Sequence, residues 1–179
     1  MFILNSQQIA AADQATINSN NISSIDLMEH AANKCFNWLH NQLQNQNIKI
    51  HVFCGIGNNG GDGLVIVRYL FENGYNVTCY IVNFSEKRTK EFLVNYNLLK
   101  ELGEWPTVIT HKDEFPEVAY EDIVVDAIFG NGLTRKPKGF VKKLIDTEKK
   151  LISTNNCKNV EFTVYNKSNK AALKATPKY

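Results

Sequence analysis

The feature that most constrains the fold of this chain is a glycine-rich segment, Gly55 to Gly63, which separates two apolar stretches of different character. Ile48 to Cys54, before it, is β-branched, apolar and too short for a helix, which predicts a central strand. After it, the apolar residues from Leu64 to Phe71 recur at helical spacing, and Asn73 and Gly74 end that pattern. A glycine loop between a strand and a helix is the position at which an open parallel sheet forms its ligand crevice.

The same alternation of strands and helices continues along the chain. Helices are predicted from Ser6 to about Ile17, from Ser24 onward, from Gly63 onward, over Glu86 to Leu102 and over Phe140 to Leu151, and further strands at Tyr75 to Val82, Thr107 to Thr110 and Ile123 to Ile128. Strands that alternate with helices at this spacing indicate βαβ units and a parallel sheet covered on both faces. We therefore predict an α/β fold, a Rossmann-like three-layer sandwich with a mainly parallel sheet.

Composition restricts the classes of partner. A length of 179 residues suits one domain. The net charge of +2 is too small to make nucleic acid or a membrane surface the expected partner, and no apolar run approaches the roughly 18 residues of a membrane-spanning helix. The four cysteines form no CxxC pair and no secretory signal opens the chain, so we expect reduced thiols and a cytoplasmic protein.

The glycine-rich segment suits a phosphate but matches neither common phosphate motif fully. Glycines let the backbone approach a phosphate closely, and free amides at a helix start attract negative charge. Gly55, Gly57 and Gly60 satisfy G-x-G-x-x-G. A dehydrogenase, however, also needs an acidic residue at the end of the second strand, where this chain has Asn83 and Phe84. A Walker-type loop is disfavoured because no Gly-Lys-Ser/Thr follows the glycines.

Polar side chains within and beyond this segment offer oxygen atoms. Asn58, Asn59 and Asp62 could bind a hard cation or a hydroxyl-bearing ligand, or the asparagines could simply cap the turn. Asp126 closes an otherwise apolar strand, where a carboxylate is costly unless it is paired or used. It could be a structural residue bonded to a loop amide, or it could face the same crevice as the glycine-rich segment.

Three segments in this order resemble the YjeF amino-terminal domain family, the NAD(P)H-hydrate epimerases. They are Leu27 to Ala32 (LMEHAA), Gly57 to Val65 (GNNGGDGLV) and Val125 to Leu133 (VDAIFGNGL), and the resemblance covers about residues 1–150. It implies a Rossmann-like sandwich that interconverts the R and S epimers of hydrated NADH or NADPH. A partner NAD(P)H-hydrate dehydratase, which acts on one epimer, can then restore the cofactor.

The resemblance also implies roles for particular residues. Contacts with the hydrated dinucleotide would come from Asn58, Asn59, Gly60, Gly61 and Asp62, and from Gly130, Asn131, Gly132, Leu133, Thr134, Arg135 and Lys136. A potassium ion would bind Asn59 and Asp126. Asp126 would also be the catalytic acid or base, because epimerising the hydrated carbon requires proton movement. The oligomeric state is left open, with a homodimer as one option.

The chain departs from the family pattern after this region. Such epimerases continue into a strand ending in Asp-x-Pro-Ser-Gly, and no Pro-Ser-Gly occurs here. We therefore predict an incomplete epimerase domain over residues 1–151 and a divergent, poorly ordered tail over residues 152–179, in which only Val160 to Tyr165 resembles a strand. Impaired activity is expected. The alternative is a noncatalytic nucleotide- or protein-binding module on the same fold.

The segment Leu27 to Ala32 is better explained by packing than by a catalytic or binding role. Met28 and its apolar neighbours have the spacing of a buried helix face. Glu29 and His30 are expected to be solvated, since charged residues on a helix usually are. We therefore predict a packing role for Leu27 to Ala32.

Overall fold

The structure is a computed structural model that describes residues 5–43, 47–119, 121–130, 136–146, 159–167 and 170–177, the last two ranges as backbone elements. In chain order its elements are α1 (Ser6–Asn20), α2 (Ser24–Gln42), β1 (Ile50–Cys54), α3 (Asn58–Glu72), β2 (Val77–Val82), α4 (Lys90–Glu101), β3 (Thr107–Ile109), a 3-10 turn (Lys112–Glu114), β4 (Ile123–Ala127), α5 (residues 139–146), β5 (Asn159–Lys167) and β6 (Lys170–Pro177).

The strands form one sheet in the order β3-β2-β1-β4-β5-β6. Every neighbouring pair is parallel except the terminal β5 and β6. β1 lies between β2 and β4, with Cys54 opposite Ile81 on one side and Ala127 on the other. The predicted α/β fold with a mainly parallel sheet is confirmed, and the carboxyl ends of β1, β2 and β4 meet at one edge.

Both faces of the sheet carry an apolar layer. On one face, α2, α3 and α4 bury residues such as Phe36, Leu64 and Phe92 against β1 and β2. On the other face, Phe53 and its neighbours pack against Val141 and Leu144 of α5. β1 is buried along its whole length because it has a neighbour on each side and a layer above and below.

Helices α1 and α4 differ from the predicted bounds. α1 continues through the polar residues after Ile17 and ends at Asn21, whose left-handed backbone (φ 52°) terminates it. α4 begins at Lys90 rather than Glu86. Thr89 caps it by accepting a hydrogen bond from Phe92 N (3.3 Å), so the residues before Thr89 form a loop rather than a first turn.

Strands β5 and β6 lie beyond the domain boundary predicted at residue 151. β5 contains the segment Val160 to Tyr165 that resembles a strand, and it pairs in parallel with β4. Residues 147–158 lie outside the described residues. The boundary at residue 151 and the divergent tail stay predictions. Among the described residues, no helix is both long and apolar enough to cross a bilayer.

A buried histidine of β1 contacts the middle of β2 and the residue that precedes β4. His51 of β1 is fully buried, and its Nε2 lies 3.0 Å from Asp122 Oδ2 while its Nδ1 lies 3.3 Å from Tyr80 Oη. Burial lowers the pKa of His51 below its ordinary 6.5, although the hydrogen bond to Asp122 opposes this shift. His51 therefore favours the neutral form in the folded state.

Acid should reduce the stability that the buried, neutral His51 contributes. Because the folded pKa of His51 is lower than the unfolded one, the unfolded chain binds the extra proton first, and stability is lost as pH falls below about 6.5 through the folded pKa. We expect the difference in unfolding free energy between the wild type and His51→Phe to shrink from pH 7 to pH 5 in denaturant titrations. A difference independent of pH in that window would contradict the assignment.

Candidate functional site

The first turn of α3 presents free backbone amides at the carboxyl edge of the sheet. Gly57 precedes the helix with an extended backbone, and no side chain caps the turn. An α-helix leaves its first amides without partners inside the helix, and together with the helix dipole they favour an anion. The helix starts at Asn58, five residues earlier than the sequence predicts, so the asparagines belong to its first turn.

Close packing explains why glycine is needed in this turn. A Cβ at Gly60 would lie 1.8 Å from Gly55 O, and one at Gly55 would lie 2.0 Å from Ile128 O. A Cβ at Gly63 would lie 2.6 Å from Ala127 Cβ. α3 therefore sits directly on the ends of β1 and β4, at a separation that only glycine permits.

The same packing brings the two predicted binding segments together. Gly55 N donates to Ala127 O (3.0 Å), which joins the loop after β1 to the end of β4. A Cβ built at Gly130 would lie 3.0 Å from Asn59 Oδ1. Asn59 of α3 and Gly130 after β4 are therefore neighbours at the carboxyl edge of the sheet.

Asp126 lies at the carboxyl end of β4 and is partly buried. Its Oδ1 accepts a hydrogen bond from Ile128 N (2.9 Å), so its carboxylate is held at the turn that leads to Gly130. The pKa of the neighbouring Cys54 thiol is raised by burial, by contact with Cys79 and by the charges of Asp126 and Asp62. The carboxyl groups of Asp126 and Asp62 therefore both lie near Cys54.

Asp62 differs from an ordinary surface carboxylate. Its residue surface is only partly buried, but burial of the carboxyl group, followed by the nearby charge of Asp13, raises its pKa to about 8. At neutral pH this group is therefore largely protonated and can donate a hydrogen bond, which removes the repulsion that a carboxylate would exert on a phosphate.

The other predicted site residues fall into two groups. Asn58 is exposed, Asn59 is partly buried, and Gly60 and Gly61 are buried in the packing of α3. Lys136 is exposed. The remaining predicted contacts lie outside the described residues: Asn131, Gly132, Leu133, Thr134 and Arg135. In the described ranges, no three His, Cys, Asp or Glu side chains gather as metal ligands would.

The loop between β2 and α4 also contacts the glycine-rich segment, although no sequence pattern predicted a site there. Arg88 Nη2 donates to Asn83 Oδ1 (3.0 Å), and Thr89 N donates to Ile56 O (3.4 Å) in the glycine-rich segment. Phe84 packs against Phe129, with ring centroids 5.1 Å apart. The basic run Lys87-Arg88-Thr89-Lys90 was the signal available in the sequence, but it was read as the beginning of a helix.

Residues of the segment Leu27 to Ala32 pack against α3 and hydrogen-bond to it. Met28 is buried, and its Sδ lies 2.7 Å from the position of a Cβ at Gly61. Glu29 accepts hydrogen bonds from Arg68 Nη2 (2.5 Å) and Tyr69 Oη (2.6 Å) of α3. Met28 has the packing role that the pattern predicts, whereas Glu29 is bound to α3 instead of being solvated.

The contacts of Glu29 predict a cost for its removal. Arg68 is mostly buried, and its Nε has no hydrogen-bond partner among the described atoms. Glu29→Gln should lower the unfolding free energy by about 1–3 kcal/mol, because hydrogen bonds to charged groups are worth that much. The matched control is Asp146→Asn, which removes the exposed pair with Lys142 (3.7 Å) and should cost about 0.5 kcal/mol or less. Equal losses in chemical denaturation would show that the Glu29 contacts add nothing.

The sequence is similar to a known protein family and to several of its members. The sequence profile of the family described as YjeF-related protein N-terminus matches residues 24–160. A bifunctional NAD(P)H-hydrate repair enzyme Nnr from Dictyoglomus turgidum is 32% identical over 159 residues, which cover 86% of this chain and 30% of that protein. An NAD(P)H-hydrate epimerase from Roseobacter litoralis is 33% identical over 152 residues, covering 76% of this chain and 67% of that protein.

A solved structure shares the fold. The crystal structure of yeast YNL200c superposes with a TM-score of 0.74 at 24% sequence identity, covering 90% of this chain and 69% of the yeast chain. The chain thus spans about two thirds of the epimerase from Roseobacter litoralis and less than a third of the bifunctional enzyme.

Proposed function

The chain belongs to the YjeF-related protein N-terminus family, and from that membership we propose that it epimerises hydrated NADH and NADPH. In this proposal it converts the R form into the S form, on which a dehydratase acts. The names of its relatives support the proposal, because two of them are an NAD(P)H-hydrate epimerase and a bifunctional NAD(P)H-hydrate repair enzyme. Coupling to a dehydratase, as in the bifunctional relative, would complete the repair of the cofactor.

The observation that carries this proposal is the contact between Asn59 and Gly130. It brings an anion-binding helix start and the loop after β4 to one crevice. The pyrophosphate of a dinucleotide would bind the free amides of α3. The reactive ring would then lie towards the end of β4, within reach of Asp126.

Asp126 is the proposed acid or base. Epimerising the hydrated carbon requires a proton to leave one group and return to another, and a carboxylate held at the crevice can accept and return it. The hydrogen bond from Ile128 N fixes the carboxylate in place.

We also propose a monovalent cation, potassium, held between Asn59 and Asp126. The donor set suits such an ion, because an amide oxygen, a carboxylate and backbone carbonyls are hard oxygen ligands. Asn59 Oδ1 faces Gly130 across the crevice. A bound cation would offset the negative charge of Asp126 and of the dinucleotide phosphates, so that both can occupy the same crevice.

The test is a coupled assay. Purified protein is added to a mixture of R and S hydrated NADPH together with an S-specific dehydratase. Epimerisation predicts that the R form disappears nearly as fast as the S form. Slow consumption of the R form, unchanged by the protein, would overturn the proposal.

A binding measurement separates catalysis from mere recognition. Hydrated NADPH that binds the native state must raise the melting temperature. An increase without turnover of the R form would indicate the alternative, a noncatalytic nucleotide-binding module. Turnover would exclude that alternative.

A further inference from the structure

The loop between β2 and α4 contacts the glycine-rich segment at the carboxyl edge of the sheet. Asn83 follows β2 and donates through its backbone N to Ile109 O (2.9 Å). At the other end of the loop, Thr89 N donates to Ile56 O (3.4 Å). The loop is thus held at both ends, and Arg88 stands next to the residue that contacts the glycine-rich segment.

Arg88 is held by the loop itself. Its Nη2 donates to Asn83 Oδ1 and its Nη1 donates to Glu86 O, both at 3.0 Å. The side chain is exposed, and no ion pair involving it occurs among the described residues. A guanidinium has five N–H donors, so the donors not used in these two bonds are available to a ligand.

The charges around Arg88 favour an anion. Lys87 and Lys90 flank it and are exposed. The two acids nearby are Glu86, which is exposed, and Glu91, whose Oε1 accepts from Ser24 Oγ (2.7 Å) on α2. The loop therefore carries three basic groups and two acids, and one of the acids, Glu91, is already hydrogen-bonded. We call the exposed basic surface formed by Lys87, Arg88 and Lys90 the positive rim.

In dinucleotide-binding sheets, the loop that follows the second strand lies beside the adenosine ribose. The residue at the end of the second strand contacts the adenosine ribose: an acid accepts from the 2′-hydroxyl, whereas an arginine nearby accommodates a 2′-phosphate. Here β2 ends at Val82 and is followed by Asn83 instead of an acid. The arginine fork matches the geometry of a phosphate.

A pair of aromatic rings lies beside the rim. Phe84 in the loop after β2 and Phe129 after β4 are in contact, with ring centroids 5.1 Å apart and planes inclined at 42°. Phe84 is 38% exposed, a large fraction for a phenylalanine. Such an exposed ring face can stack with a purine, which would place the adenine next to Arg88.

We propose that the loop between β2 and α4 is the subsite for the adenosine ribose, and that Arg88 binds a 2′-phosphate and so makes hydrated NADPH the preferred substrate over hydrated NADH. The inference rests on the proposed function for the identity of the substrate. The binding preference itself concerns only the 2′-phosphate, so it can be measured without turnover.

The experiment compares NADP⁺ and NAD⁺, which differ only in that phosphate. Binding is measured by calorimetry for the wild type, Arg88→Ala and Arg88→Lys. We expect the wild type to bind NADP⁺ about tenfold more tightly, or about 1.4 kcal/mol. Arg88→Ala should remove this difference by weakening NADP⁺ alone, and Arg88→Lys should restore part of it, since lysine keeps the charge without the fork. Lys142→Ala, which removes an exposed charge on α5, is the control and should change neither affinity.

Either of two results would overturn the inference. One is equal affinity of the wild type for both dinucleotides, or binding of neither. The other is an Arg88→Ala variant that keeps the preference or loses affinity for both ligands equally. In the coupled assay, the KM for hydrated NADPH should rise about tenfold in Arg88→Ala while kcat is unchanged. Failure of the wild type to turn over either hydrate would reject the epimerase proposal but leave the measured preference for NADP⁺ standing.

Discussion

Replacing Asp126 by asparagine should lower the rate of epimerisation by about 10²–10⁴-fold, the usual contribution of a positioned acid or base. Asparagine keeps an Oδ1 that can accept from Ile128 N, so the turn after β4 should be preserved. It cannot, however, accept and return a proton at neutral pH. The rate is measured in the coupled assay with saturating dehydratase, so that epimerisation limits the consumption of the R form.

Two controls make this result specific. Asp146→Asn removes an exposed carboxylate of α5 at a distance from the crevice, and it should leave the rate unchanged. The melting temperature of Asp126→Asn should stay within a few degrees of the wild type, because the backbone bond is kept. A variant that is folded and turns over at the wild-type rate would remove Asp126 from the mechanism.

Replacing Gly60 by alanine should have the largest effect on the fold of the site. The new Cβ would lie 1.8 Å from Gly55 O, a backbone atom that cannot move away by rotating a side chain. The first turn of α3 must therefore shift off the end of β1. Overpacking of this kind costs about 1–3 kcal/mol or more, which corresponds to a fall in melting temperature of about 2–12 °C for a chain of this size.

Gly57→Ala is the matched control, because the same chemical change is made three residues away. A Cβ at Gly57 would meet no described atom within 4 Å, and its φ of −106° is available to alanine. We expect the unfolding free energy to change by about 0.5 kcal/mol or less. Dinucleotide binding, measured by the rise in melting temperature, should be lost in Gly60→Ala and kept in Gly57→Ala. Similar behaviour of the two variants would contradict the proposed packing of α3.

The central part of the fold was predictable because its signals are local. The buried strands β1 and β4 are short apolar runs bounded by polar or glycine residues, and both lie where the sequence predicts them. α2 begins at the predicted Ser24, since Ser23 caps it and its apolar residues recur on one face. The convergence of crevice residues followed from one rule, that parallel strands bring their carboxyl ends to the same edge.

The start of α3 was not predictable in the same way. Glycine is a poor helix former, so the run from Asn58 to Gly63 has the composition of a loop. In the structure it is helical, because its glycines allow α3 to pack against Gly55, Ala127 and Met28. The gain from this packing lies in residues far away in the sequence, and local propensity contains no information about it.

What the sequence determined by itself is the order of strands and helices, the family resemblance and the type of chemistry that the crevice residues offer. These depend on the spacing and identity of neighbouring residues along the chain. Only the tertiary structure decided that Asn59 lies against Gly130, that Glu29 binds α3 and that Thr89, next to Arg88, contacts Ile56. Each of these contacts joins residues more than 30 positions apart in the sequence, and their distance is set by how α3 packs on the sheet.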